Sequence, residues 1–222
     1  MADPTETDGF ASDRANMVST QLRARGVRDE HVLAAMAKVP RHEFVAPEYR
    51  RLAYEDHPVP IAKEQTISQP FIVALMLEAL ALRGDEIVLE VGTGSGYQTA
   101  LLAELARYVY SIERHEELAR TATATLRRLG YENLAVIVGD GSEGLPDRAP
   151  FDAVIVSAAA PRIPQSLFEQ LREGGRMVVP VGPAQAQELI LVGKRQNKPV
   201  TKVLEGCRFV PLIGLQAYSE GW

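Results

Sequence analysis

Apolar and polar positions alternate along most of this chain between a strand period and a helix period. Ile87-Val88-Leu89-Glu90-Val91 is rich in β-branched and apolar residues, the pattern of a strand covered on both faces. Gly92-Thr93-Gly94-Ser95-Gly96 then forms a glycine-rich turn, and Gln98 to Arg107 is helical in composition. The alternation repeats downstream. Tyr108 to Ile112 reads as a strand ending at Glu113, Glu117 to Leu129 as a helix stopped by Gly130, and Leu134 to Val138 as a strand ending at Gly139-Asp140-Gly141. Phe151 to Val156 is a further strand, ending at Ser157-Ala158-Ala159-Ala160-Pro161, and Gln165 to Arg172 a further helix. Strands at Arg176 to Val181, Glu188 to Lys194 and Cys207 to Leu212 complete the series. Such a sequence predicts an α/β fold with a doubly wound, mostly parallel sheet whose ligands lie at the carboxyl ends of the strands. No helical pattern separates the last two strands, so at least one of them is expected to run antiparallel.

Upstream, apolar residues recur at helical spacing in Arg14 to Arg25 and Asp29 to Lys38. Gly26 separates the two helices, and Asp29 is placed to cap the second. Pro40 to Gln69 breaks into prolines, aromatics and charges, and a long irregular stretch inside a compact domain is more often functional than idle. Helical spacing returns from Phe71 to Leu82, with Ile72, Leu75, Met76, Ala79 and Leu80 on one face. The expected organisation is a disordered acidic tail over 1–13 and one domain over 14–222. Within it, 14–82 form an N-terminal helical cap and substrate-side segment, and 83–222 the cofactor-binding sheet.

Length and composition narrow the partners. At 222 residues with 46% hydrophobic and 24% charged, the chain has the composition of an ordinary globular protein and no apolar run of membrane-spanning length. The acidic N-terminus lacks the pattern of a secretory signal, so a cytoplasmic protein is expected, away from membranes. A net charge of −5 argues against a nucleic-acid partner held through its phosphates. A monomer is the expected state. The single cysteine, Cys207, excludes an internal disulfide and a cysteine-based metal cluster, and it reads as a small core residue. The four histidines show no metal-ligand spacing; His42 and His57 read as structural and His31 and His115 as surface residues, so no metal is expected.

The glycine turn selects between two nucleotide classes. A dinucleotide fingerprint requires G-x-G-x-x-G, but counting from Gly92 places Tyr97 at the third glycine, and counting from Gly94 places Thr99 there. The chain instead reads Glu90-x-Gly92-x-Gly94-x-Gly96, which resembles motif I of the class I S-adenosylmethionine-dependent methyltransferases. Glu90 beside the turn would repel a pyrophosphate but suits a ligand carrying an ammonium and a sulfonium. Glu113, at a strand end, can accept from ribose hydroxyls, and Asp140 from an adenine amino group while Gly141 lets the backbone come close. The expected cofactor contacts are therefore Glu90, Gly92, Thr93, Gly94, Ser95, Gly96, Glu113, Asp140 and Gly141.

Gln65-Thr66-Ile67-Ser68-Gln69-Pro70-Phe71 resembles the substrate-side motif of the protein-L-isoaspartate O-methyltransferases. Pro40-Arg41-His42-Glu43-Phe44-Val45, Tyr54-Glu55-Asp56, Pro58-Val59-Pro60, Gly139-Asp140-Gly141, Ser157-Ala158-Ala159-Ala160-Pro161 and Arg208-Phe209-Val210-Pro211-Leu212 are similar to that family as well. The resemblance runs from about Met17 to Trp222 and implies a Rossmann-like methyltransferase fold. It also implies transfer of the methyl of S-adenosylmethionine to the α-carboxyl of L-isoaspartyl residues in damaged proteins or peptides, whose ester then collapses to a succinimide. Ser68 matches the family's active-site serine, and Val59, Thr66, Ile67 and Ala159 its substrate side. An ionised carboxylate is already a nucleophile, so the lack of a catalytic triad is no objection. For Ser68 the residues alone also allow a helix cap after Pro70. The chain departs from the family at Ala62-Lys63-Glu64, where a glycine-containing loop is usual; if those glycines serve positive φ, Ala62 and Glu64 force a different loop path at a cost of about 1 kcal/mol or more per residue. A same-fold enzyme acting on small carboxylates and a non-catalytic binder of damaged proteins are the competing readings.

Overall fold

The computed structural model describes residues 9–183 and 185–219. The chain enters through α1 (Ala11–Asn16), which widens into a π-helical turn at Met17–Leu22 and tightens at Arg23–Arg25, and Gly26 ends it at φ 104°. Helix α2 (Glu30–Lys38) starts at Asp29, whose carboxylate accepts from the amides of His31 and Val32 as its sequence position predicts. A two-stranded hairpin of β1 (Val59–Pro60) and β2 (Thr66–Ile67) pairs Val59 with Ile67. It leads into α3 (Pro70–Leu80).

The main sheet is built from β3 (Ile87–Val91), β4 (Tyr108–Glu113), β5 (Leu134–Val138), β6 (Phe151–Val156), β7 (Leu171–Val181), β8 (Gln187–Arg195) and β9 (Lys198–Cys207). Their spatial order is β5-β4-β3-β6-β7-β8-β9. Pairing is parallel from β5 to β7 and antiparallel from β7 through β9, so the expected antiparallel end is present. Helices α4 (Tyr97–Leu105), α5 (Glu116–Arg128) and α6 (Gln165–Glu169) make the crossovers.

Alternate residues of the central strands face two cores. Val88, Val109, Ala153, Ile155 and Val178 point to the larger one, shared with Leu33 and Met36 of α2, Met76 and Leu77 of α3 and Leu101 of α4. Leu89, Val91, Val154, Val156 and Met177 point to the other, shared with Leu167 and Phe168 of α6. This two-sided burial explains why the central strands read as nearly unbroken apolar runs. No helix among the described residues is long and apolar enough to cross a membrane.

Several boundaries differ from those the sequence suggests. Residues 1–8 of the expected tail lie outside the described residues, but residues 11–13 are helical rather than disordered, because Phe10 stacks on His42 with ring centroids 4.3 Å apart and anchors the segment. The irregular stretch holds two 3₁₀ turns, Arg41–Phe44 and Pro47–Leu52, as well as the hairpin. The last strand runs to Cys207 instead of starting there, and residues 208–212 leave the sheet. As an edge strand with most side chains exposed, β9 carries no burial pattern to read.

Candidate active site

A cavity of about 780 Å³ opens at the carboxyl ends of β3, β4 and β6, where a doubly wound sheet holds its ligands. Its floor is the glycine turn after β3, sewn to β4 by Gly92 N–H and Thr93 N–H, which both donate to Ile112 O. Gly94 sits at φ 54° and Gly96 at φ 90°. Gly96 itself lies off the cavity: a Cβ there would approach Ala122 of α5 to 3.1 Å, so this glycine serves close helix packing as well as the turn. The Thr93 and Ser111 hydroxyls lie 2.5 Å apart beneath the turn.

Glu113 closes one wall. Its Oε2 accepts from Gly94 N–H at 2.9 Å and its Oε1 from His115 N–H at 2.9 Å. A carboxylate has about four acceptor positions, so roughly one remains on each oxygen, the number that two ribose hydroxyls require. Gly141 contributes backbone to the same cavity. Asp140 does not line it: Oδ1 accepts from both the amide and the hydroxyl of Ser142, and Oδ2 from Leu215 N–H at 2.8 Å. About one acceptor position on Oδ2 remains, but since Asp140 does not line the cavity, the direct adenine contact expected of it is not seen in its lining, which Gly141 provides.

Glu90 lies beneath the turn, fully buried, and does not reach the cavity. Its oxygens accept from Thr99 Oγ1 at 2.5 Å, Ser111 Oγ at 2.6 Å and Gln98 Nε2 at 3.1 Å. Burial pushes its carboxyl up to about 7 despite these donors. The direct cofactor contact read from the sequence is thus corrected: on an inward-facing row of β3, this side chain points into the sheet–helix layer, where it ties β3, β4 and α4 together.

On the opposite wall the hairpin brings Thr66, Ile67 and Ser68 to the cavity. Among the described residues the Ser68 hydroxyl has no hydrogen-bond partner, and α3 is capped at Gln69 without a side-chain bond, so Ser68 is no helix cap. Val59 and Ala159 are fully buried and do not line the cavity. Val59 supports Ile67 from behind, and Ala159 holds the strap after β9, donating to Val210 O and accepting from Leu212 N–H, each at 2.8 Å. Lys63 and Glu64 take left-handed φ values of 59° and 56°, while Ala62 does not, so the hairpin keeps a positive-φ path without glycine. Lys63 pairs with Glu117 of α5 at 2.8 Å.

Several wall residues do not read as site residues from the sequence, although Ser157 and Arg208 to Leu212 lie in family-like segments. Gln98 donates to Ser157 Oγ at 2.7 Å, placing that hydroxyl at the cavity, and Arg208 to Ile213 form a continuous wall from the C-terminal strap. Cys207 packs at the edge of the larger core, as expected, and also lines this wall; burial together with Glu188 and Glu205 pushes its thiol up to about 11, which disfavours the thiolate. His115 also lines the cavity, whereas His42 is buried against Phe10 and Tyr54.

The residues present fit S-adenosylmethionine: a left-handed glycine turn, a carboxylate with an open position on each oxygen, and a cavity of cofactor size. Comparison with known proteins agrees. Residues 13–217 match the family model of protein-L-isoaspartate(D-aspartate) O-methyltransferase. The chain is 58% identical to the protein-L-isoaspartate O-methyltransferase of Koribacter versatilis over 99% of both chains. It is 54% identical to that of Methanoculleus marisnigri, over 98% of this chain and 97% of the other. A solved protein-L-isoaspartate O-methyltransferase superposes with a TM-score of 0.83 at 31% identity, over 92% of this chain and 67% of the other. A Plasmodium falciparum relative in complex with S-adenosyl-L-homocysteine gives 0.78 at 26% identity, over 90% and 98%. The chain belongs to the protein-L-isoaspartate(D-aspartate) O-methyltransferase family.

Proposed function

We propose that this chain performs its family's reaction, S-adenosylmethionine-dependent methylation of L-isoaspartyl residues in damaged proteins and peptides, with Ser68 as the residue that orients the substrate carboxylate. The observation that carries the assignment of Ser68 is that it lines the same cavity as the glycine turn with a hydroxyl that has no hydrogen-bond partner among the described residues. When bound, S-adenosylmethionine supplies an electrophilic methyl group on a sulfonium. The Ser68 hydroxyl donates to one oxygen of the substrate α-carboxylate and leaves the other free to attack. The carboxylate is ionised near neutrality, so Ser68 need not remove a proton and the chain's part is orientation. Glu113 takes the ribose hydroxyls, and the backbone at Gly141 the adenine edge. Thr66 and Ile67 border the substrate, and the strap from Arg208 to Ile213 walls the same cavity.

The chain acts as a monomer in the cytoplasm on protein substrates, a reading that its net charge of −5 supports against a nucleic-acid partner. The test is methyl transfer to an isoaspartyl peptide beside its aspartyl isomer. Labelling confined to the isoaspartyl peptide, and a kcat lowered about 10–100-fold in Ser68→Ala, is expected. Equal labelling of the two peptides, or better turnover of free small acids, would overturn the substrate assignment.

A further inference from the structure

Arg41 is fully buried and sits directly behind the substrate wall, yet among the described residues no carboxylate pairs with it. Its Nε–H donates to Ala53 O at 2.6 Å and its Nη2–H to Ser68 O at 2.8 Å. Its guanidinium carbon lies 4.8 Å from the ring centroid of Tyr97, the first residue of α4 after the glycine turn. Nη1 is shielded from solvent and, among the described residues, makes no hydrogen bond of normal geometry. Burial draws its pKa down only to about 10, so the charge persists at neutral pH, with the hydroxyls of Tyr97 and Tyr54 as its electrostatic neighbours.

Burying a charge without a counter-ion is costly, and a tie between two loops alone would be better made by neutral groups. What the guanidinium offers is a planar fork that reaches two carbonyls at once while lying over an aromatic face. Those three contacts fall on the loop before the hairpin, on Ser68 itself and on the helix that follows the cofactor turn. The fork therefore spans the substrate side and the cofactor side of the cavity at the residue whose hydroxyl must be aimed.

We infer that Arg41 is a positioning residue for methyl transfer: by holding the Ser68 carbonyl against α4 it fixes where the Ser68 hydroxyl presents the substrate carboxylate. This rests on the Ser68 reading above. A peptide bond fixed at its carbonyl by a charge-assisted hydrogen bond has little freedom left at Cα, and a displacement of about 1 Å at a reacting group costs on the order of 100-fold in rate.

The test is a double-mutant cycle with Arg41→Met and Ser68→Ala, read as kcat and KM for an isoaspartyl peptide and as S-adenosylhomocysteine affinity. Arg41→Met alone is expected to lower kcat about 10–100-fold, with affinity for S-adenosylhomocysteine within about threefold of wild type. In the Ser68→Ala background the same substitution is expected to cost less than about threefold, because it acts through a hydroxyl already absent. Arg41→Lys, which keeps the charge but reaches one carbonyl, serves in the same cycle where Arg41→Met fails to fold, with an intermediate loss that also vanishes beside Ser68→Ala. Equal losses in both backgrounds, or no loss in the first, would overturn the inference and leave the Ser68 reading standing. Full turnover of Ser68→Ala alone would remove that reading and this one with it.

Discussion

Glu113 accepts the Gly94 amide at 2.9 Å, so the carboxylate that lines the cavity, and that we propose takes the ribose hydroxyls, also fixes the tip of the glycine turn. On that reading one side chain at the end of β4 sets two parts of the cofactor site. Glu113→Gln turns one acceptor oxygen into a donor that opposes either an amide or a hydroxyl. Hydrogen bonds to a charged group contribute about 1.5–3 kcal/mol each, so S-adenosylhomocysteine should bind about 10–100-fold more weakly by calorimetric titration. Turnover at saturating cofactor should change little, since the lost bond exists in ground state and transition state alike.

The C-terminal strap depends on Gly214. A methyl group there would collide with the oxygens of Asp140 and Ser142, which hold the strap through Leu215 and Gln216. Gly214→Ala should therefore lower stability by about 1–3 kcal/mol, the usual cost of forcing an atom into an occupied site. Because Val210 to Ile213 form the wall upstream of that anchor, the KM for an isoaspartyl peptide should rise more than kcat falls. Steady-state kinetics with an unchanged peptide KM would show that the strap docks without Gly214.

Local signals made the parallel half of the fold legible. A buried strand, a glycine turn and a helix are contiguous in β3 to α4, so a few residues declare all three. The strand ends at Glu113 and Asp140 were readable for the same reason. The Ser68 segment was legible as a motif, but what holds it was not: Arg41 lies 27 residues earlier, and an arginine in a charged, proline-rich stretch gives no hint of burial. Val59, Glu90, Gly96, Asp140 and Ala159 were expected at the ligand but lie off the cavity lining, because a motif marks a neighbourhood while strand register and turn geometry set which groups face the cavity. Ser157 and the segment from Arg208 stood out as family-like segments, but their place on the cavity wall was not legible, since only tertiary folding brings them to the turn.

The hairpin offers a test of strain. Glu64 holds φ at 56° with a Cβ, a conformation that costs an L-residue roughly 1–2 kcal/mol relative to glycine. Glu64→Gly should raise Tm by about 2–4 °C in scanning calorimetry, as about 1 kcal/mol does in a chain of this size. A lowered Tm would mean that the Glu64 side chain contributes more than its backbone costs. The pair between Lys63 and Glu117 is left intact by this substitution, which separates backbone strain from the loss of an exposed ion pair.

Glu90 predicts a pH signature in stability. Its carboxyl is raised from 4.5 to about 7 in the folded protein, chiefly by burial. A carboxyl that binds its proton more tightly when folded stabilises the fold at low pH. That contribution is fully present below about 4.5 and is lost as pH rises through about 7, because the buried group must then ionise while the unfolded one already has. At about 1.4 kcal/mol per pKa unit the change amounts to about 3 kcal/mol across the window. Glu90→Gln removes the titration, so denaturant melts at intervals from pH 4.5 to 8 should show the wild-type stability falling relative to the variant as pH rises. The substituted amide also lacks one of the two acceptor oxygens that face Thr99, Ser111 and Gln98, which shifts the whole curve of the variant without giving it a slope. A constant difference between the two proteins over that range would show that Glu90 stays ionised beneath the glycine turn.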